Sequence, residues 1–319
     1  MSVAISLTPA HACPLHSDGR DWPLTNCYVD VWVELLWNWG RDPADIFAFC
    51  VAQAFEGDHF TFFKPPSADL EALHGVRIEE LPLWDDLERH LLVATGRGRA
   101  VLLEVDGYYL PDTQTTSYRT EHVKTTIAVL DLSPERGWCQ YVHNSGVHLI
   151  DGEDYRAVFQ PPRHNGLPMF AYAEMVWRTP ARARSRPGEL PLSQLRAHLG
   201  RRPEIDPIAG FLAAFPTLID RMIDQGPAGF HGLAFNTFRQ LGSAHGYLGD
   251  FLRWLDAREH LGLGPAADAC EALSTATKVL QLRTARMAAR RRLDLCEDSF
   301  DALAAAHARL HQTLNARLG

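Results

Sequence analysis

Residues 26–40 read NCYVDVWVELLWNWG, and this stretch decides the first half of the fold. Apolar side chains recur along it at spacings of three and four residues, which predicts a buried helix over residues 27–39 that stops at Gly40. Thr25 or Asn26 is the expected N-cap, because short polar side chains accept hydrogen bonds from the first amides of a helix. Cys27 is therefore placed at a helix N-terminus.

Strands and shorter helices are expected around this helix. The segments AVLLEV, HVKTTIAVLDL and WCQYVH are apolar and rich in β-branched residues, which is typical of strands. A short connection containing Pro and Gly separates the last two, so they are expected to pair as an antiparallel hairpin. The predicted strands are 61–63, 100–105, 122–132 and 138–143, and the predicted helices are 43–55 and 83–95.

The composition changes near residue 180. The segment RTPARARSRP at 178–187 predicts an exposed linker, and the chain after it is rich in Ala, Leu and Arg with helical periodicity. Helices are expected at 191–199, 206–224, 229–257, 265–290 and 296–317, with a bend in the third at its glycines. The predicted fold class is α+β: a domain with an antiparallel sheet at 1–180, followed by an α-helical bundle domain at 187–319.

The totals exclude several classes of protein. A formal net charge of −8 argues against a protein that binds nucleic acid with its whole surface. No apolar run is long enough to span a membrane and the N-terminus lacks the pattern of a signal peptide, so a cytoplasmic location is expected. The six cysteines include no C-x-x-C pair and the histidines show no zinc-ligand spacing, so neither a metal site nor a bound cofactor is predicted.

Three residues in chain order suggest nucleophilic catalysis. The positive end of the helix dipole favours a thiolate at Cys27, and an imidazole such as His122 at the start of a strand would accept its proton. Asn144, after the next strand, would hold the imidazole in one orientation. A mismatch of roughly four residues in the hairpin register requires either a β-bulge or a longer loop. His143 would point to the opposite face, and Asp131 is an alternative orienting residue far along the strand.

Six further residues are candidates for substrate binding, each with a structural alternative that stays open. The Asn26 side chain is a candidate oxyanion donor beside the Cys27 amide, with Arg20 as an alternative, and the sequence does not decide between the two. Glu34 bonds either a buried partner or a substrate amine. The loop before His122 forms either a lid or an ordinary polar surface. The candidates are Asn26, Glu34, Tyr108, Tyr109, Arg119 and Arg239.

The segments NCYVDVWVELLWNWG, VLLEVDGYYLPD, YRTEHVKTTIAVLDL and YVHNSG resemble a papain-like cysteine fold. More narrowly, they are similar to a bacterial domain-of-unknown-function family related to the butirosin-biosynthesis acyltransferase, as is AFNTFRQLGSAHGYLGDFLRWL in the second half. The resemblance implies Cys27 as nucleophile, His122 as base and Asn144 as orienting residue. One position departs from the papain-like pattern: Asp21 stands where a Gln is expected, and a carboxylate would repel an oxyanion.

The resemblance also implies a reaction and its partners. An acyl or aminoacyl group would pass from a carrier-protein thioester to Cys27, and then to a small-molecule amine or another nucleophile. Phosphopantetheine would enter only as part of the carrier protein. A cysteine peptidase or amidase would use the same three residues, and a catalytically silent binding protein would use only the cleft. The sequence favours the transferase and leaves the other two functions open.

Overall fold

The computed structural model describes residues 12–17, 19–22, 24–160, 171–179 and 188–319 of the 319-residue chain. Most of the linker predicted at 178–187 lies outside the described residues. The chain divides into two compact units. The sheet unit comprises Met1–Ser17, Asn26–Pro43 and Leu70–Arg182, and the helical unit comprises Asp18–Thr25, Ala44–Asp69 and Ala183–Gly319.

The sheet unit is built on a six-stranded antiparallel sheet. Its strands are β1 (Val76–Glu80), β2 (Ala100–Asp106), β3 (Lys124–Ser133), β4 (Trp138–His143), β5 (Gly146–Asp151) and β6 (Ala173–Arg178). Their order across the sheet is β1-β6-β2-β3-β4-β5. Strands distant in sequence are therefore neighbours, and β2 pairs with β3 across a long connection.

Four helices accompany the sheet: α1 (Cys27–Asn38), α2 (Ser67–His74), α3 (Leu87–Thr95) and α4 (Gly152–Phe159). Helix α2 continues across the boundary between the two units. Helix α1 is buried along most of its length, as its apolar pattern predicts. The first turn is capped by Asn26, whose Oδ1 accepts a hydrogen bond of 2.8 Å from the Val29 amide.

The two faces of the sheet pack against different helices. Leu103 and Ile127 share one apolar core with Leu91 of α3 and Tyr155 of α4. Because successive side chains of a strand alternate in direction, Thr126 points to the opposite face. Helix α1 covers that face, since its first residue contacts Thr126.

The helical unit is an antiparallel assembly of long helices. They are α5 (Glu189–Leu199), α6 (Pro207–Gln225), α7 (Pro227–Leu233), α8 (Gln240–Glu259), α9 (Gly264–Arg290) and α10 (Glu297–Leu318). A π-helical turn, Ala234–Arg239, separates α7 from α8 within the helix predicted at 229–257, but it precedes the glycines at which the bend was expected, and those glycines lie inside α8. At Gly242 an added Cβ would lie 2.5 Å from the indole of Trp22, so the glycine allows this ring to enter the core.

Four local predictions are wrong. Residues 61–63 form no strand, and the chain near them makes an isolated bridge between Phe55 and Phe60. The helix predicted at 43–55 is a 3-10 helix, Pro43–Ala52. The helix predicted from residue 83 begins at Leu87, and the strand predicted from 122 begins at Lys124. In the described part of the chain, no helix combines the length and apolar character needed to cross a membrane.

Candidate active site

Cys27 differs from the other thiols of the chain. It is the first residue of α1 and is half-buried, whereas the other five cysteines are buried. Its Sγ lies 3.5 Å from Thr126 Oγ1 and donates a weak hydrogen bond to it. Free amides at a helix N-terminus favour negative charge. The sulfur is therefore partly accessible and lies at the positive end of a helix.

His122 belongs to a second group at the start of β3. Its Nδ1 lies 2.6 Å from Asp106 Oδ2, at the end of the neighbouring strand β2. Asp106 is itself held in place, because its Oδ1 accepts a hydrogen bond of 3.0 Å from the Tyr108 amide. The Tyr108 ring stacks on the imidazole at 4.3 Å between centroids. In the neutral imidazole, an Nδ1–H given to the carboxylate leaves the Nε2 lone pair available as a base.

Strand register places Cys27 and the His122–Asp106 pair on the same face of the sheet. Thr126, which contacts Cys27, is paired with Glu104, and the next residue of that face, Lys124, is paired with Asp106. Rows two residues apart on a strand are separated by about 7 Å. No hydrogen bond joins Cys27 to His122 in the described chain, and the His122 side chain is 67% exposed.

The structure does not bring Asn144 to His122. Asn144 follows β4, in the two-residue turn that leads to β5, and has a left-handed φ of 48°. In the described chain, the side chain hydrogen-bonded to the His122 ring is that of Asp106 and not that of Asn144. The hairpin register could not reveal this, because the partner of His122 lies on the strand that precedes it and not on the one that follows. Asp131, the other candidate, bonds the adjacent Leu132 amide at 2.9 Å.

Two family models match nearly the whole chain: the DUF1839 N-terminal domain matches residues 11–178 and the DUF1839 C-terminal domain matches residues 188–316. The chain belongs to the DUF1839 family. No curated protein matches it. The family match does not link the chain to the butirosin-related family, and it does not identify the sheet unit as papain-like.

In this DUF1839 chain, His143 forms a separate buried network on the other face of the sheet. Its Nδ1 lies 2.6 Å from Asp112 Oδ2, and its Nε2 lies 2.7 Å from Thr125 Oγ1. Tyr141 donates a 2.6 Å hydrogen bond to Asp112 Oδ1. Burial raises the pKa of Asp112, but hydrogen bonding to His143 outweighs it and leaves the pKa below its usual value. No sequence pattern indicated Asp112, which lies in the short 3-10 helix Pro111–Thr113.

Glu34 has internal partners. Its Oε1 lies 2.6 Å from His16 Nδ1 and accepts a 3.0 Å hydrogen bond from the Cys13 amide. His16 Nε2 lies 3.3 Å from Asp30 Oδ1, so one imidazole lies between two carboxylates of α1. Burial lowers the pKa of His16, but the hydrogen bonds to Asp30 and Glu34 outweigh it and raise the pKa to about 9. This geometry matches the structural interpretation of Glu34, as a residue bonded to buried partners.

The remaining predicted binding residues fall into two places. Arg119 forms an ion pair with Asp154 and lies over the rings of Tyr108 and Tyr109, at 5.7 and 5.5 Å. These aromatic residues therefore flank His122, as expected for the loop before it. Arg239 lies in the π-helical turn of the helical unit, over Phe235 at 5.7 Å.

Two features bear on oxyanion and metal chemistry. Asp21 belongs to the helical unit, where its Oδ2 accepts a 2.6 Å hydrogen bond from Thr275. Asn26 uses its side-chain oxygen for the cap of α1. Across residues 12–160, 171–179 and 188–319, apart from residues 18 and 23, no three His, Cys, Asp or Glu side chains are grouped to hold a metal ion.

Proposed function

We propose that this chain is a cysteine-dependent acyl or aminoacyl transferase in which Cys27 carries the acyl group. One observation carries the proposal: the only half-buried thiol among six lies at a capped helix N-terminus, on the sheet face that also bears the His122–Asp106 pair. The other five thiols are buried. Burial raises the pKa of Cys50, Cys139 and Cys270, which keeps these thiols protonated and unreactive.

The first half-reaction acylates Cys27. His122 Nε2 takes the thiol proton, the thiolate attacks the carbonyl carbon of a thioester, and the donor's C–S bond breaks. The departing donor thiolate receives the proton from His122. Asp106 keeps the Nδ1–H in place and stabilises the imidazolium formed between the two proton transfers. The Cys27 amide, free at the helix start, is a donor for the oxyanion.

The second half-reaction releases the acyl group to an amine. The amine attacks the Cys27 thioester, His122 accepts its proton, and the bond between the carbonyl carbon and Sγ breaks. The proton then returns to the sulfur, which restores the free enzyme. For the proton transfers, His122 Nε2 and Cys27 Sγ must come within hydrogen-bond reach of each other. The Nδ1 bond to Asp106 is kept in this approach, so His122 and Asp106 move toward the start of α1 together, and the 67% exposure of the His122 side chain leaves room for that movement.

The donor proposed for this reaction is a carrier-protein thioester. A phosphopantetheine arm would deliver the acyl carbon to a sulfur that is only half-buried. Tyr108, Tyr109 and Arg119 lie beside His122 and would contact the arm or the acceptor. The carrier protein enters from the sequence resemblance, and the amine acceptor follows from the same source.

Intact-mass spectrometry after mixing with acyl-pantetheine and acyl-carrier-protein thioesters tests the proposal. A mass increase equal to the acyl group is expected for the wild type and for Cys50→Ala, and is absent in Cys27→Ala. His122→Asn and Asp106→Asn should slow acylation by roughly 100-fold or more, as expected for loss of a general base or of its orienting residue. Asn144→Gly should acylate like the wild type. Acylation that persists in Cys27→Ala refutes the assignment.

A hydrolase is the second candidate, because the 67% exposure of His122 leaves water free to reach the catalytic base. In that case water takes the acyl group from Cys27, as in a cysteine peptidase or amidase. Quantifying the free acid and the amide formed from the acyl-enzyme, with and without an added amine, separates the two reactions. If no thioester or peptide acylates the protein and all six thiols alkylate equally slowly, a silent binding protein is the remaining alternative.

A further inference from the structure

The helical unit contains a cavity of about 410 Å³ that the proposed chemistry does not use. Part of its lining is apolar, from Val51, Phe60, Leu199 and Leu241. The rest is unusually rich in imidazoles and charged groups for a helical bundle. These polar lining residues are Arg202, Glu204, Asp206, His245, His307 and His311.

Hydrogen bonds fix the tautomers of two of the histidines. Arg202 Nη1, which can only donate, lies 2.9 Å from His311 Nδ1, so that nitrogen accepts. The proton of His311 is therefore on Nε2 and is donated to His307 Nε2 at 2.9 Å. His307 in turn keeps its proton on Nδ1, which faces Asp206 Oδ2 at 3.4 Å. Arg202, His311, His307 and Asp206 thus form a one-directional relay in which both imidazoles are neutral.

Burial supports the neutral state of these rings. It lowers the pKa of His311 to about 3 and also lowers that of His307. Every ring nitrogen of the relay is committed, since each either donates its proton or accepts one from a neighbour. The two imidazoles of the relay therefore offer no free lone pair and no free N–H group to a ligand, whereas the Asp206 carboxylate can accept a further hydrogen bond.

His245 differs from His307 and His311, because one of its ring nitrogens has no hydrogen-bond partner in the described chain. It is 5% exposed, and its Nδ1 lies 2.9 Å from the Leu241 carbonyl of its own helix, to which it donates. The Nε2 atom consequently bears a lone pair, and within the described chain no hydrogen bond reaches it. Burial lowers the pKa of His245 to about 4, so this nitrogen stays an acceptor at neutral pH. A nearly buried acceptor that lines a cavity and has no donor within the described chain is a group to which a bound molecule can donate.

The charges around the cavity also favour a donor. Glu204 and Asp206 contribute two carboxylates, whereas Arg202 contributes one guanidinium. That guanidinium is committed to the His311 ring, the Leu199 carbonyl and Asn315 Oδ1. A ligand with N–H donors and a positive charge complements these polar groups, and an apolar body complements the apolar part of the lining.

We propose that this cavity binds a small organic ammonium ion with an apolar body, its N–H groups donating to His245 Nε2 and to Asp206. An anion would be repelled by the carboxylates of Glu204 and Asp206, and the N–H groups of His307 and His311 already donate to other partners. A divalent metal would find one free imidazole lone pair, because those of His307 and His311 already accept hydrogen bonds. The site is independent of Cys27 and its chemistry.

Isothermal titration calorimetry of the full chain with phenethylammonium chloride tests this assignment. Phenethyl alcohol and phenylacetate, of similar shape but neutral and anionic, are the comparison ligands. Binding of phenethylammonium is expected to be at least roughly tenfold tighter than binding of either, as expected for a hydrogen bond with a charged partner. Equal affinity for all three, or no binding of the ammonium ion, overturns the proposal.

Two variants and one control locate the ligand. Asp206→Asn removes the charge but keeps the oxygen that caps α6 through the Ile208 and Ala209 amides. His245→Phe keeps a ring but removes the acceptor. Each should weaken phenethylammonium binding by roughly tenfold, whereas Asp301→Asn, at an exposed position of α10, should not. Unchanged affinity in Asp206→Asn refutes the site even if His245→Phe fails to fold, and tight ZnCl₂ binding lost in His245→Phe would make it a metal site instead.

Discussion

Raising the pH from 6 to 9 should release the segment that carries Cys13 and His16 from helix α1. His16 is held between Asp30 and Glu34, and its pKa of about 9 in the folded protein compares with 6.5 for a free histidine. Because the folded pKa is the higher one, the stabilisation is complete below pH 6.5. It declines as the pH rises from 6.5 and is lost through pH 9.

The magnitude follows from the two pKa values. A difference of one pH unit corresponds to about 1.4 kcal/mol, so protonation of His16 contributes about 3 kcal/mol near pH 6. At pH 9 most of this contribution has gone. If undocking of the segment exposes the imidazole fully, its equilibrium constant should rise by roughly 100-fold between these two pH values.

Cys13 provides the assay. It is 2% exposed, and its own amide donates to Glu34, so its thiol reacts only when the segment leaves α1. The labelling rate of Cys13 by N-ethylmaleimide is measured by peptide mass spectrometry. Dividing it by the rate in urea-unfolded protein at the same pH gives the open fraction. In Glu34→Gln, which keeps an oxygen for the Cys13 amide but lacks the charge, this fraction should depend only weakly on pH.

An open fraction that stays constant or falls from pH 6 to 9 in the wild type would refute this account. It would mean that His16 is not charged between the two carboxylates. A rise of the same size in Glu34→Gln would assign the pH dependence to another group.

Three further predictions concern other parts of the chain. The helical unit should lose stability as the pH falls below 6.5, because His245 and His311 have folded-state pKa values of about 4 and 3 and so bind protons only in the unfolded chain at these pH values. The urea concentration at the midpoint of unfolding, followed by circular dichroism at pH 7 and pH 5, measures this loss. Asn144→Ala should destabilise the sheet unit by about 1 kcal/mol, because alanine is disfavoured at a φ of 48°, whereas Asn144→Gly should be nearly neutral in thermal unfolding. Gly242→Ala should displace the Trp22 indole and cost roughly 1–3 kcal/mol, with a shift in tryptophan fluorescence.

Long elements with a clear period were predictable from the sequence. The apolar pattern and Asn26 located α1 almost to the residue, and β4 was found with its observed bounds. The polar strand Val76–Glu80 was missed, because an edge strand with charged residues lacks the apolar alternation that marks a half-buried one. The strand that pairs with it, Ala173–Arg178, was also missed, because it is short and lies after the last segment with a strand-like apolar pattern.

The candidate site was predictable only in part. Cys27 followed from the helix start, and His122 from its place before an apolar strand. Asp106 did not, because its pairing depends on the register of β2 against β3, which are separated by a connection with no regular strand or α-helix. The contact of His16 with Asp30 and Glu34 was also missed, since His16 lies in the short 3-10 turn Pro14–His16, whose packing against α1 no sequence pattern indicates.

The helical unit is formed from three separate stretches of chain, and this limits where the coding sequence can be cut to give a fragment with a complete core. Trp22 and Phe60 fill the same core as Phe211 and Leu241, although both precede the junction between the two family models. A polypeptide of residues 188–319 alone would lack both rings, each of which buries roughly 150–250 Å². Recombination at that junction would therefore transfer a helical unit without Trp22 and Phe60. The recombinant protein would be viable only if the segments around positions 22 and 60 came from the same parent as residues 188–319.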